Sequence, residues 1–308
     1  MGPSRSAAWR RRAASVGIPP AVAAAAPEPD RPLHGQPHPR HKLHPGMYVA
    51  ELVGTALMVA GGLSIVIALF GTGAPFAHLI PAAAPRRALA GFLFGSVGAL
   101  VAVSPLGKVS GAHINPAVTF AFWLEGKIKW RDALGYVLAQ LMGGVLGAVA
   151  LLPWGAVGRS VSFGASLPAP GLALWMPMAG EALCTYLLVT IIFVMAAHKA
   201  TQPLGPLTNP PLFSLLVWLE SPLSGASTNP ARSLGPAFVA SAWHGQWIYV
   251  LGPCLGAAIA VALLRLEGLE HHRPREARRF HFTERRHPAD RAPPRREERR
   301  REERRSQP

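Results

Sequence analysis

The sequence predicts an all-α membrane protein with six transmembrane helices and two re-entrant half-helices, arranged as an inverted repeat. Three observations carry this: apolar runs of membrane-crossing length, a charge distribution that spares the middle of the chain, and an eight-residue frame that recurs in the second half. Half of the 308 residues are apolar and only 15% are charged, yet the sequence pI is about 11.2. Residues 1–46 hold seven Lys/Arg against two acids and residues 265–308 hold fifteen against nine, whereas 47–264 has nine bases and five acids. An apolar body thus sits between two basic segments.

The first element is the run Met47–Phe70, followed by Ala88–Val103, Ala133–Leu152, Met178–Ala197 and Trp247–Leu264. At about 1.5 Å per residue these cross or nearly cross a hydrocarbon core of roughly 30 Å. Their Gly and Ala content suits close helix packing within a bundle. A further span is expected between Gln202 and Leu219, where Pro203, Pro206, Pro210 and Pro211 interrupt the run. Because an interior Pro removes a hydrogen bond and clashes with the preceding turn, this fifth helix is expected to begin only near Pro210 and to be short or kinked.

Three regions result: a disordered basic arm over 1–46, a helical domain over 47–266 with halves at about 47–152 and 177–266, and a disordered Arg/Glu-rich tail over 267–308. Arg10–Arg12 before Ala21–Ala26 resembles a targeting signal only weakly, since Pro19-Pro20 breaks a short apolar core, and Met47 is a second candidate start. Basic segments at both ends predict an even number of spans with both termini cytoplasmic. Lys108, Lys127, Lys129, Arg131 and Lys199 then fall in cytoplasmic loops, and Arg86, Arg87 and Arg159 on the opposite side. Cys184 and Cys254 lie in apolar runs and are read as packing residues, with no disulfide or metal site.

The repeat organises the rest. Ser110-Gly111-Ala112-His113-Ile114-Asn115-Pro116-Ala117 returns as Ser224-Gly225-Ala226-Ser227-Thr228-Asn229-Pro230-Ala231. Tyr136 and Gly143 match Tyr249 and Gly256, and Glu51 and Thr55 match Glu181 and Thr185 at the same i, i+4 spacing. Three spans per half, an odd number, make the repeat an inverted one. Asn is a favoured N-cap and Pro a favoured first helical residue, so each Asn-Pro-Ala starts a helix. The runs after Pro116 and Pro230 end by Leu124 and by Val239 or Ala240, too short to span. They read as half-helices whose N-termini meet near the midplane, a positive focus that opposes cations. If the Asn115 and Asn229 carbonyls cap the backbone, their NH₂ groups are free to donate to a passing oxygen.

On these two frames the chain resembles the major intrinsic protein family, the aquaporins and aquaglyceroporins, from about Met47 to Leu266. The resemblance implies a passive channel for water or small uncharged solutes such as glycerol or urea. The residues themselves offer no nucleophile–base pair, metal-ligand cluster or cofactor fingerprint, so neither enzymatic activity nor a cofactor is expected. It also implies a homotetramer in the cell or plasma membrane, with one pore per subunit. In the family a filter outside the two Asn residues takes one residue from the second span, one from the fifth and two from the second re-entrant loop. Arg232 and Ala226 match the loop positions and Val217 the fifth-span position. The second-span position is Gly95 by direct counting from Asn115, or Phe94 if Ser104–Gly107 is one residue longer than usual. By the same resemblance Glu51 and Glu181, with His113, support the re-entrant loops.

The subtype signals point two ways. Val217 stands where strict water channels of the family carry His, which widens the filter toward glycerol-sized solutes. Ser233, following Arg232, resembles the water-selective group, and Tyr249-Val250 the nodulin-like one. The other reading is a membrane-anchored protein whose basic tails bind anionic lipid or nucleic acid above a poorly conducting pore. Glu interleaved with Arg and few aromatic residues in the tail argue against specific nucleic-acid binding.

Overall fold

Pro45 opens the first helix two residues ahead of Met47, as suits a residue with no N–H to leave unpaired. In the computed structural model the described residues are 43–266, apart from 75, 77 and 199, together with 269, 272 and 274. The arm up to residue 42, Lys199 and most of the C-terminal tail lie outside them, and with them the expectations made for those segments. Helices α1 (Pro45–Phe70) and α2 (Ala83–Val103) are followed by a short α3 (Pro105–Ser110), the half-helix α4 (Pro116–Leu124) and α5 (Trp130–Val149). The second half comprises α7 (Trp175–Ala197), α8 (Gly205–Glu220), the half-helix α9 (Pro230–Ala240) and α10 (Ile248–Leu264), after the connecting turn α6 (Gly155–Arg159). The order span, span, half-helix, span occurs in the first half, and span, span, half-helix, span in the second.

Among the described residues, four helical segments are long and apolar enough to cross a membrane: α1, α2, α7 and the stretch Trp130–Arg159 that α5 opens. The 17-residue α10 is shorter but apolar throughout. Leu57, Leu138, Leu183 and Leu251 leave about half of their surface exposed on these helices. For an element in lipid that outward face meets a solvent as apolar as itself.

Glycines set the helix spacing symmetrically. A Cβ on Gly143 of α5 would lie 2.3 Å from the Leu52 carbonyl oxygen of α1, and one on Gly256 of α10 would lie 2.0 Å from that of Ala182 in α7. Leu52 and Ala182 correspond in the repeat just as Gly143 and Gly256 do, so the same small-residue contact joins the outer spans of each half.

The fifth span differs from expectation. It begins at Gly205, five residues before Pro210, and contains both Pro210 and Pro211. Pro206 occupies the first turn, where its missing N–H is harmless, and the Thr208 hydroxyl donates to the Gly205 carbonyl at 2.7 Å. The 3₁₀ turn Gln202–Leu204 feeds directly into it. Sixteen α-residues rise about 24 Å and a 3₁₀ turn adds about 6 Å, enough together to match a hydrocarbon core.

Candidate functional site

Both re-entrant loops share one backbone solution. Gly111 and Gly225 have φ of 85° and 93°, Ala112 and Ala226 both 51°, and Ile114 and Thr228 41° and 55°. Left-handed backbone at a β-branched residue costs about 1–3 kcal/mol and persists only where its surroundings hold it. Two buried glutamates supply that hold. Glu51 accepts from the His113 and Ile114 N–H groups at 2.9 and 2.6 Å, and Glu181 from those of Ser227 and Thr228, both at 2.7 Å. The Tyr136 hydroxyl donates to the Ser110 carbonyl and Tyr249 to that of Ser224, each at 2.7 Å. His113 lies within 3.2 Å of the Thr119 hydroxyl and stacks on Phe122 at 4.6 Å between ring centroids. Ser227 and Ser233 make the corresponding contact in the second loop.

The loops deliver two helix N-termini to one place. Asn115 Oδ1 accepts from the Ala117 N–H at 2.8 Å, and Asn229 Oδ1 from Ala231 and Arg232 at 3.0 and 3.3 Å. Pro116 and Pro230 are the first residues of α4 and α9, and Ala117 and Ala231 are fully buried behind them. The two amides are not wholly free. Asn115 Nδ2 donates to the Thr228 carbonyl and Asn229 Nδ2 to that of Ile114, each at 2.9 Å. This reciprocal exchange ties the half-helices together and leaves one hydrogen of each NH₂ for another acceptor.

A cavity of about 30 Å³ lies against this pair, lined by Met58, Phe94, Gly95, Asn115, Asn209 and Phe213 among others. That volume is about one water's share of the liquid. A larger cavity of about 270 Å³ holds Arg232, Ala226, Val217 and Phe94 together with Arg87, Ser166 and Ser221. The two candidates for the second-span position therefore separate. Phe94 faces Arg232, whose Cζ is 5.9 Å from its ring centroid. Gly95 sits only on the smaller cavity, and a Cβ there would fall 2.6 Å from the Asn209 carbonyl oxygen.

Three residues that sequence reasoning missed complete the site. Ser166, from the segment before α7, accepts from Arg232 Nη1 and from the Ser233 hydroxyl, while its carbonyl accepts from Gln246 at 2.7 Å. Glu220, buried at the end of α8, shares the Ser224 hydroxyl with Glu181. Phe213 lines both cavities. Val217 was already singled out, and Phe213 lies one helical turn before it, a signal that was available; nothing in the spacing indicates Ser166.

A multi-pass helical membrane protein with paired re-entrant half-helices in an inverted repeat is the class this fold and site define. The chain belongs to the major intrinsic protein family, whose pattern it matches over residues 40–264. It is 40% identical over 171 residues to aquaporin NIP1-4 of Oryza sativa subsp. japonica, covering 54% of this chain and 61% of that one. It is 30% identical over 237 residues to aquaporin AqpM of Methanothermobacter marburgensis, covering 69% and 93%. With glycerol uptake facilitator protein-like 6 of Lactiplantibacillus plantarum it shares 32% over 227 residues, covering 72% and 98%. The match thus spans under two thirds of the rice protein but nearly all of the two microbial ones. Among solved structures, the aquaglyceroporin from Plasmodium falciparum superposes with a TM-score of 0.57 at 20% identity, over 71% of this chain and 94% of that one. That likeness is one of fold.

Proposed function

We propose that this chain is a passive channel for water and small uncharged solutes, and that its path runs from the Arg232 cavity past the paired Asn115 and Asn229. The single observation that carries the reading is the reciprocal Asn pair at two opposed helix N-termini beside a water-sized cavity. Each N-terminus carries roughly half an elementary charge of positive potential, which disfavours cations and hydrated protons where water is most confined. The remaining Asn hydrogens offer donors to a passing oxygen. Arg232, with Ala226, Val217 and Phe94 around it, supplies a fixed cation and further donors at the wider cavity. The relatives named aquaporin and glycerol uptake facilitator support the same reading.

We place the termini and the Lys127–Arg131 loop on the cytoplasmic side of a cell membrane, and assign the chain to a homotetramer with a pore in each subunit. The family resemblance supports the assembly, and the basic residues flanking the spans support the orientation. Glu51, Glu181 and His113 act in this reading as loop supports.

Stopped-flow light scattering on proteoliposomes tests the reading. Osmotic water flux well above that of empty vesicles is expected from the full chain, without proton leakage. Arg232→Val should leave water flux in place and raise proton or cation leakage several-fold. Unchanged leakage with intact water flux would remove Arg232 from the constriction, and no water flux from folded protein would end the channel reading.

A further inference from the structure

Helix α8 presents Asn209, Phe213 and Val217 at successive i, i+4 positions, and Ser221, the C-cap residue that follows it, continues the row along the path. Asn209 lines the small cavity, Val217 and Ser221 the large one, and Phe213 both. Phe94 of α2 is likewise common to the two linings. Their ring centroids are 6.1 Å apart with the planes at 33°. An aromatic pair therefore stands where a cavity of about 270 Å³ gives way to one of about 30 Å³.

Neither ring has a simple retreat. A Cβ on Gly91 would lie 2.2 Å from the Phe213 carbonyl oxygen, so α2 and α8 are in backbone contact beside Phe213 and its Cα is fixed. A Cβ on Gly62 of α1 would lie 2.5 Å from the Phe94 ring, which is thus packed against the α1 backbone. The rings offer no hydrogen bonds, so a solute passing between them keeps only those it makes to donors on either side. A water molecule can do so in single file, whereas glycerol must fit three carbons and three hydroxyls through the same gap.

We propose that Phe213 is a specificity-determining residue, which forms with Phe94 an aromatic constriction between the Arg232 cavity and the Asn pair and limits the solutes that pass to water-sized ones. This rests on the channel reading above, and it deepens that reading by assigning size selection to the aromatic pair rather than to the Val217 and Ala226 openings beside Arg232.

The test uses the full chain in liposomes and compares osmotic water flux with glycerol uptake for the native protein, Phe213→Ala and Val217→Ala. The native protein should pass water readily and glycerol poorly. Phe213→Ala should raise the glycerol-to-water permeability ratio by roughly tenfold or more, and Val217→Ala should change it by less than about threefold. Equal glycerol uptake by the native protein and Phe213→Ala, with water flux retained in both, overturns the assignment, as does a native protein that already passes glycerol freely. Should Phe213→Ala fail to fold, Phe213→Leu decides in its place, with a several-fold increase expected and no increase overturning the proposal. Absence of water flux from the folded native protein is a separate result, which removes the channel reading and this inference with it.

Discussion

At the level of single residues, the two loop-supporting glutamates occupy equivalent positions but have different surroundings. Glu51 is satisfied by two backbone N–H groups and by Gln140 Nε2 at 2.7 Å. Glu181 holds two backbone N–H groups as well, but its further partner is the Ser224 hydroxyl at 2.5 Å, which also lies 2.6 Å from Glu220 Oε1. A serine hydroxyl has one hydrogen and cannot donate to both carboxyl groups. With Glu181 fixed as acceptor by the backbone, the hydroxyl donates to Glu181 and Glu220 must supply the proton of the second contact. Glu220→Gln provides a donor of the same shape, so it should keep wild-type thermal stability and water flux. Glu181→Gln sets an N–H against a backbone N–H, and leaving a buried donor unmet costs about 1–3 kcal/mol. Thermal unfolding in detergent should therefore show a clear loss for Glu181→Gln alone. Equal losses for the two variants would mean that Glu220 is an acceptor like its neighbour.

How much of the site the sequence disclosed follows from where its residues come from. Asn115, Asn229, Arg232, Glu51 and Glu181 were legible because a repeat shows each of them twice or beside a motif. Ser166 belongs to an irregular stretch with no counterpart in the first half, and meets Arg232 only once the chain has folded. Glu220 has no such signal, because the residue that matches it in the first frame, four before Ser110, is Leu106.

Among the elements, α8 shows most clearly what local rules leave out. Two interior prolines argue for a late helix start, because each removes a hydrogen bond. Contact with α2 outweighs them, since Gly91 and Gly95 let the α8 backbone approach within van der Waals distance along its length. Small residues facing a broken helix are the tertiary feature a one-dimensional reading of prolines cannot weigh. The spans α1, α5, α7 and α10 lie within three residues of the expected bounds, whereas α2 begins at Ala83, five residues before the expected Ala88, because its first turns take in Pro85, Arg86 and Arg87. It follows that α8 depends on its partner. Gly95→Ala puts a Cβ 2.6 Å from the Asn209 carbonyl oxygen and 3.0 Å from Pro210 Cα, both main-chain atoms that cannot swing aside. Overpacking of this kind costs about 1–3 kcal/mol. The variant should unfold at lower temperature and lose water flux, whereas Gly46→Ala, in the first turn of α1 with nothing within 4 Å of its Cβ and on neither cavity, should do neither. A stable, conducting Gly95→Ala protein would show that α8 stands on its own.

Across the whole helical unit, side-chain pairs place both described ends at one face. His44, just before α1, pairs with Asp132 at 3.0 Å, and Tyr48 donates to the same carboxylate at 2.6 Å. Arg265, just after α10, pairs with Glu125 at 3.2 Å and donates to the Leu124 carbonyl at the C-terminal end of α4. The Lys127–Arg131 loop lies between these two contacts in sequence, so its cations gather with both ends of the unit. The Arg232 cavity is lined instead by Arg87, Val161 and Ser166, at the other end of the spans. Lys and Arg are retained on the cytoplasmic side during insertion, and a face with Lys127, Lys129, Arg131 and Arg265 outweighs one with Arg86, Arg87 and Arg159. The wide cavity should consequently open outward. Cysteines introduced at the exposed Lys129 and Arg159 test this with a membrane-impermeant maleimide, in a background where the half-buried Cys254 of α10 is replaced by Ser and the buried Cys184 of α7 is kept. Arg159→Cys should label in intact cells and Lys129→Cys only after permeabilisation. The reverse pattern would turn the channel over in the membrane, and labelling of both from outside would break the even number of spans on which the inverted repeat depends.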